Sequence, residues 1–336
     1  MAYDTSSCPK HMTYGPCGGV RADGTCELGT GPCPFADRTA PVAWSGPSAI
    51  GAPPPLFARA GGRAIVVTDL TLRSYDVACI VEATSILAPA CDSLLIGEHQ
   101  SRPDFPPTQM AELVTRAGGH AVVTLSCRDR NRVVLEQEIA GLAHVDVDAV
   151  LCVTGDGRAP GIRPEVTQVF DLDGTRLAAM AAAAGLPVAV PESPMAPPCV
   201  LRPGRLVMKQ RAGASLGILN HTGRVEAVAA FVHAARAAGV TMPLLAAVAV
   251  FTDERSASIL RAFPGLDLPQ DHIDAVLGSS DPVRTGVERA AIEAQQLLAI
   301  DGIDGINVSG LGSGRGELAA AEVKAAVGTR ILDALR

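Results

Sequence analysis

Residues 121–157 read AVVTLSCRDRNRVVLEQEIAGLAHVDVDAVLCVTGDG, and this stretch holds two short apolar runs with an amphipathic segment between them. The runs, residues 121–125 and 149–153, are rich in valine and leucine, which is typical of parallel strands that are buried on both faces. Residues 133–142 carry apolar side chains at the spacing of an amphipathic helix. The stretch therefore predicts one strand–helix–strand unit of a parallel sheet.

The same alternation recurs from about residue 63 to the end of the chain. Eight apolar runs occur, at residues 64–68, 93–96, 121–125, 149–153, 188–190, 216–219, 244–250 and 306–308. Helical patterns lie between them, at residues 76–87, 109–116, 133–142, 175–184, 225–238 and 287–300. This α/β pattern predicts a (β/α)8 TIM barrel. An open doubly wound sheet is less favoured, because no G-x-G-x-x-G sequence follows the first run.

Composition divides the chain into three regions. Residues 1–36 are rich in cysteine, glycine and polar side chains, and they predict a small cysteine module. Residues 37–60 are punctuated by proline and predict a linker that is neither helix nor strand. Residues 61–336 form the predicted barrel.

Charge and hydropathy exclude several classes of partner. The chain has 28 Lys and Arg against 35 Asp and Glu, and basic residues do not cluster, so we expect no nucleic-acid partner. The apolar runs are far shorter than the ~20 residues that span a bilayer, and no apolar segment typical of a signal peptide opens the chain. We therefore expect a cytoplasmic protein that acts on a small molecule. Its Ala-rich helices are compatible both with a homo-oligomer and with packing within one chain.

Polar residues follow the predicted strands, at the end of the barrel where TIM-barrel enzymes place their active sites. A carboxylate held there can serve as a general acid or base. The candidates from the pattern alone are Asp69, Glu98, His99, residues 127–131, Asp156, Glu192, Asn220 and residues 309–313.

Four segments of the chain resemble methylenetetrahydrofolate reductases. They are TLSCRDRN at 124–131, VTGDG at 153–157, VFDLD at 169–173 and KQRAGA at 209–214, in the order of the family, and GVERA at 286–290 is also similar. The resemblance covers nearly all of residues 63–336. It implies a TIM barrel that binds a folate and usually FAD, and that reduces 5,10-methylenetetrahydrofolate to 5-methyltetrahydrofolate with hydride from the flavin or directly from NAD(P)H.

The resemblance also assigns roles to three side chains in the barrel mouth. Asp69 stands where the family has a catalytic glutamate that protonates the folate, and it is one methylene shorter. Asp156 matches an aspartate that lies beside the flavin and the pterin, and we take it as catalytic and cofactor-binding. Asn220 replaces a glutamine that binds the folate, again one methylene shorter.

Further cofactor contacts are implied at Lys209, which matches a lysine on the flavin's phosphate or ribose, and at Thr124 and Gly155. Thr124 stands in place of the family's histidine, and only 3% of the residues are aromatic, so few rings are present to sandwich a flavin. The expected FAD site is therefore weakened or absent.

Two further charged residues are candidate substrate ligands. Arg128 could pair with Asp156 or with a ligand's carboxylate or phosphate. The alternative is that Asp129 or Asn131 caps the next helix and the arginines are structural. Glu98 could form an acid–base pair with His99, or the two could be a solvated loop pair.

Cys8, Cys17, Cys26 and Cys33 lie in the first tenth of the chain. In a reducing compartment such a group indicates a metal site, and four thiolates complete a closed tetrahedral Zn²⁺ site, with an iron–sulfur cluster as the rival. Residues 1–36 have so few apolar side chains that we expect the metal to order them. The segments CPKHM at 8–12 and GPCGG at 15–19 also look like the cysteine domain found with some of these reductases.

Three functions follow from these predictions. The first is a methylenetetrahydrofolate reductase-like oxidoreductase. The second is a folate-dependent transferase that passes the one-carbon unit to another acceptor. The third is a non-catalytic folate-binding or electron-relay partner.

Overall fold

The computed structural model describes residues 7–29, 31–99, 101–159, 161–262 and 268–336. Residues 1–6 and 30 of the predicted cysteine module lie outside this part of the chain. Eight parallel strands close into a barrel in sequence order: β1 Ile65–Leu70, β2 Ser93–Ile96, β3 Ala121–Ser126, β4 Ala149–Val153, β5 Val188–Glu192, β6 Leu216–Leu219, β7 Leu244–Ala249 and β8 Gly305–Ser309. The TIM barrel is confirmed. The alternative of an open sheet is wrong, because β1 pairs with β8 and so closes the barrel. In this pairing Val67 lies opposite Asn307.

Eleven α-helices occur in the described residues: α1 Pro55–Ala60, α2 Val77–Leu87, α3 Pro107–Arg116, α4 Arg132–Leu142, α5 Gly174–Ala183, α6 Arg202–Arg211, α7 Val225–Ala238, α8 Glu254–Arg261, α9 Gln270–Leu277, α10 Pro282–Leu298 and α11 Glu317–Ala334. Among them, no helix combines the length and the apolar composition that crossing a bilayer requires.

Helix α1 lies inside the predicted linker, so the prediction of no helix there is wrong. Pro55 occupies the first helical position, where proline costs no hydrogen bond. The helix also buries Leu56 completely against the apolar residues inside the barrel. Burial of Leu56 stabilises this short helix, and the proline content of the linker does not reveal that burial.

The barrel interior is apolar along most of its length. Strand residues that point inward, such as Val67, Val122, Leu151 and Ile218, pack together in one cluster. Residues of the opposite faces, such as Val66, pack against the helices. Polar side chains therefore collect at the carboxyl ends of the strands, where the apolar filling stops.

Residues 7–29 and 31–36, called here the N-terminal segment, pack onto the barrel. The ring Nδ1 of His11 lies 2.9 Å from the carbonyl oxygen of Phe170, and the amide of Thr13 donates to Asp173 Oδ2 at 2.9 Å. Arg202 of α6 donates to the carbonyl oxygen of Cys17 at 3.0 Å. The segment is thus part of the wall around the barrel mouth.

Candidate functional site

A cavity of about 410 Å³ opens at the carboxyl ends of the strands. Residues from both the barrel and the N-terminal segment line it. The eight barrel residues to which the sequence analysis assigns a catalytic or binding role are among them: Asp69, Glu98, Thr124, Arg128, Gly155, Asp156, Lys209 and Asn220. The structure therefore brings together residues that are spread over some 150 positions of sequence, and their individual roles remain predictions.

Asp69 lies near the end of β1 and faces the cavity. Its carboxylate oxygen Oδ1 accepts a hydrogen bond of 3.0 Å from the side-chain amide of Asn307 in β8. Burial raises the pKa of Asp69 above its ordinary value, and Lys324 and Asn307 only partly oppose this effect. A raised pKa extends the pH range in which the carboxyl group carries a proton, which is the direction that a general acid requires.

Behind Asp69 lies the completely buried ammonium group of Lys324, from α11. It donates to the main-chain oxygen of Asp69, to Thr71 Oγ1 at 2.8 Å and to the carbonyl oxygen of Gly310 at 3.3 Å. Burial lowers the pKa of Lys324 to about 8. Lys324 ties the end of β1 to the loop after β8, and the sequence analysis missed it because it lies within an Ala-rich helical pattern.

Asp156 lies in the loop that follows β4. Burial raises its pKa, and the charge of Lys10 opposes the increase. The ammonium group of Lys10 donates to the carbonyl oxygen of Gly155 at 2.6 Å and pairs with Glu27. Burial alone would lower the pKa of Lys10, but Cys17, Glu27 and Asp156 together raise it. A lysine of the N-terminal segment thus belongs to the site.

Arg128 is buried and held by the protein itself. Its Nε donates to Asp129 at 2.9 Å, and its two terminal nitrogens donate to main-chain oxygens of Asp156 and His99 at 3.4 and 3.1 Å. It contacts the main chain of Asp156 rather than its carboxylate. Asn131 caps α4 through the amide of Val134, as the alternative interpretation of this segment predicts.

Glu98 is paired within the protein too. It forms an ion pair of 2.7 Å with Arg130 and accepts a hydrogen bond of 3.0 Å from the amide of Ser126. The ring of His99 does not contribute to these bonds, so Glu98 pairs with Arg130 and not with His99, as one of the two alternatives had it. Glu98 still lines the cavity and can present its carboxylate to a ligand.

A buried ion cluster underlies the β5 side of the cavity. Glu192 accepts from Lys209 at 2.9 Å and from Arg202 at 3.3 Å, and Arg205 Nε lies 3.9 Å away. Burial lowers the pKa of Lys209 to about 8, with Glu192 opposing the effect. The positions 202, 205 and 209 share one face of α6, a spacing that could have identified the cluster from the sequence.

The remaining predicted ligands, Asn220 and Thr124, face the same cavity. The side-chain amide of Asn220, directly after β6, donates to Ser193 Oγ at 2.8 Å. Thr124 lies in β3 and is largely buried. Both offer short polar groups to the cavity.

The residues present do not fit FAD. No phenylalanine, tyrosine or tryptophan occurs among the cavity-lining residues that the structure describes. The N-terminal segment also brings Lys10, Met12 and Cys17 to the side of the cavity where Asp156 lies. The volume lies within the usual range of small-molecule sites, about 300–1,000 Å³.

The structure does not assemble the predicted site from Cys8, Cys17, Cys26 and Cys33. In the described part of the chain, no group of three or more His, Cys, Asp or Glu side chains is arranged to hold a metal ion. Cys17 lies at the cavity with its thiol 3.6 Å from Glu27, and burial raises its pKa to about 11. Cys8 and Cys33 pack with Met12, Val20 and Phe35 instead.

The premise behind the metal prediction was that residues 1–36 cannot order themselves. In the described residues, Cys8, Met12, Val20, Cys33 and Phe35 nevertheless form a small apolar cluster, and the segment contacts the barrel. Neither zinc nor an iron–sulfur cluster is supported by this arrangement of the thiols.

No family model matches the chain, and no curated protein matches its sequence. Solved structures share its fold. An uncharacterized protein from Clostridium thermocellum that binds two copies of 5-methyl-5,6,7,8-tetrahydrofolic acid is 13% identical, with a TM-score of 0.56 over 83% of this chain and 98% of that chain.

Two enzymes are similar at lower scores. Tryptophan synthase from M. tuberculosis is 17% identical, with a TM-score of 0.48 over 84% of this chain and 99% of that chain. A 2,3-dimethylmalate lyase is 12% identical, with a TM-score of 0.46 over 76% of this chain and 81% of that chain. At such identities, the folate-binding neighbour shows that the fold is shared and nothing more.

Proposed function

We propose that the chain reduces 5,10-methylenetetrahydrofolate to 5-methyltetrahydrofolate without a resident flavin, taking hydride directly from NAD(P)H. The observation that carries this proposal is the carboxyl group of Asp69. It faces the cavity at the end of β1, is held by Asn307 at 3.0 Å, and has a pKa raised by burial. A structural neighbour that binds 5-methyltetrahydrofolate supports a folate as the ligand.

Asp69 supplies the proton that this reduction needs. Protonation of N10 of the folate breaks the bond between N10 and the bridging carbon and leaves an iminium group at N5. Hydride from the nicotinamide adds to that carbon and gives the 5-methyl product, while NAD(P)H becomes NAD(P)⁺. Asp69 then takes a proton from water, so the step balances as one proton and one hydride consumed for each substrate.

The other predicted residues bind and orient the folate. Asp156 offers a carboxylate to the N–H donors of the pterin, and Asn220 offers an amide across the cavity. Arg128 keeps the loop of Asp156 in place through its main-chain oxygen. Glu98 and Thr124 complete the polar wall on the β2 and β3 side.

A one-carbon transferase is the second candidate. It is favoured by the poor fit to FAD, because transfer of a methyl or methylene group needs no redox cofactor. The acceptor would then occupy the part of the cavity near Lys209, which the resemblance assigns to the flavin. The non-catalytic electron-relay function has no support from the arrangement of the cysteines.

Binding and turnover of Asp69→Asn test the proposal. We expect the wild type to bind 5-methyltetrahydrofolate in calorimetry and to oxidise NAD(P)H when 5,10-methylenetetrahydrofolate is added. Asp69→Asn should keep the affinity for folate within a few-fold of the wild type. Its turnover rate should fall by roughly 10²–10⁴-fold, the usual contribution of a positioned acid. The exposed Asp37, changed to Asn, is the matched control. Folate binding without NAD(P)H oxidation would favour the transferase, and no folate binding would refute both candidates.

A further inference from the structure

The loop that carries Asp156 is held from both sides by one ion pair of the N-terminal segment. Lys10 donates to the carbonyl oxygen of Gly155 at 2.6 Å, and the amide of Gly157 donates to Glu27 Oε2 at 3.0 Å. Lys10 and Glu27 also pair with each other. The main-chain groups directly before and after Asp156 are therefore bound to the two partners of a single ion pair.

This ion pair is shielded from water, so it resists screening. The side chain of Lys10 is 2% exposed and that of Glu27 is 9% exposed. The ammonium group of Lys10 also lies 5.6 Å from the centre of the Phe170 ring, within the range of a cation–π contact. Loss of either charge would leave the other buried without its partner.

The segment lies directly against the loop. A Cβ atom added at Gly157 would come within 2.0 Å of Leu28 Cδ2, and one added at Gly155 would come within 2.3 Å of Ser126 Oγ. Gly155 also has a φ of +94°, which disfavours any other residue. Glycines on both sides of Asp156 thus allow the N-terminal segment and the barrel to enclose the loop.

We propose that Lys10 and Glu27 are positioning residues for Asp156, so that the N-terminal segment completes the barrel's binding site instead of forming a separate metal module. Three charged side chains act on Asp156: Lys10 and Glu27 from the segment, and Arg128 from the loop after β3. Lys10 is the cation that favours its carboxylate most. The role given to Asp156 in binding the pterin rests on the proposed function. The contacts of Lys10 with Gly155 and of Glu27 with Gly157, called here the clamp, do not depend on it.

Hydrogen–deuterium exchange of the full-length protein, without ligand, tests the clamp. In Glu27→Gln the amide of Gly157 has a weaker acceptor, so we expect the peptide covering residues 154–157 to exchange at least ~10-fold faster. Peptides from the loop after β8 should not change. Asp37→Asn, a carboxylate-to-amide change just after the segment, should leave both regions as in the wild type. Unchanged exchange at 154–157 in Glu27→Gln would overturn the proposal.

The pH dependence of 5-methyltetrahydrofolate binding tests the electrostatic part. Without the charge of Lys10, the pKa of Asp156 rises further, so in Lys10→Met binding should be lost at a higher pH as the solution is acidified. Lys10→Arg keeps the positive charge but changes the shape of the side chain, so it should restore the wild-type midpoint. An effect of side-chain shape alone would shift the midpoint in both variants. An unchanged midpoint in Lys10→Met would overturn this part. If the wild type fails to bind folate, the proposed function is wrong and the exchange experiment still decides the clamp.

Discussion

The ammonium nitrogen of Lys209 lies 2.9 Å from carboxylate oxygen Oε2 of Glu192, beneath the cavity. Arg202 and Arg205 approach the same carboxylate. Burial alone would raise the pKa of Glu192, but the three cations lower it to about 2. One buried anion thus neutralises part of a cluster of three buried cations, and the cluster joins β5 to α6.

Removal of this anion should destabilise the fold strongly. In Glu192→Gln the three cations stay buried without a counter-ion, so we expect the free energy of unfolding to fall by roughly 3–5 kcal/mol. Urea denaturation followed by circular dichroism measures it. Glu136→Gln is the matched control, because Glu136 forms an exposed pair with Arg132 that is worth less than about 1 kcal/mol. Equal losses in the two variants would contradict this account of the cluster.

Lys324 should make stability depend on pH in the alkaline range. Its pKa is about 8 in the folded chain against an ordinary value of 10.5, so between these values the unfolded chain binds more protons. Stability from this group therefore rises as the pH increases from 8 to 10.5. Buried thiols such as Cys127 and Cys152, with raised pKa values, act in the opposite direction above pH 9.

A comparison with Lys324→Met isolates this effect, because both proteins contain the same thiols. We expect the difference in unfolding free energy, wild type minus Lys324→Met, to increase between pH 8 and 10.5. Urea denaturation at several pH values measures it. A difference that stays constant over this range would show that Lys324 keeps its ordinary pKa.

Local patterns in the sequence were enough to predict the barrel and several of its mouth residues. Buried parallel strands are continuous apolar runs, and the residue that follows each run must lie at the barrel mouth, so Asp156 and Asn220 could be located without a structure. The open interpretation was excluded only by the pairing of Val67 with Asn307, which closes the sheet.

Long-range contacts could not be predicted in this way. Lys10 meets Gly155 across 145 positions of sequence, and no periodicity relates the two. The burial of Lys324 could not be predicted, because a buried lysine within an Ala-rich helix has the same local sequence as an exposed one. The metal site was predicted from the density of cysteines in the first tenth of the chain, and the sequence does not show that Cys8 and Cys33 pack with Met12 and Phe35.

Asn220→Gln should weaken folate binding. The amide of Asn220 reaches Ser193 Oγ at 2.8 Å, and a further methylene moves it by ~1.5 Å into the cavity. We expect a several-fold loss of affinity for 5-methyltetrahydrofolate by calorimetry. Ser193→Ala removes the partner of the amide without adding bulk, and it should cost less. A faster reduction of 5,10-methylenetetrahydrofolate in Asn220→Gln would indicate instead a pocket suited to the longer side chain.

The N-terminal segment should keep its structure when metals are removed. It is held by the Lys10–Glu27 pair, by the bond from Arg202 to Cys17 and by the buried ring of Phe35, none of which needs a metal. A structural zinc would contribute ~10 kcal/mol or more, so its removal would be obvious. We expect thermal unfolding curves with and without a chelator to coincide.

Phe35→Ala should, in contrast, lower the unfolding free energy by about 3–5 kcal/mol, because the ring is 0% exposed and leaves a cavity when it is removed. Thermal and urea denaturation in the presence of chelator measure both effects on the same sample. Elemental analysis of anaerobically purified protein is the independent check. One zinc per chain, or stoichiometric iron and sulfide, would contradict this prediction.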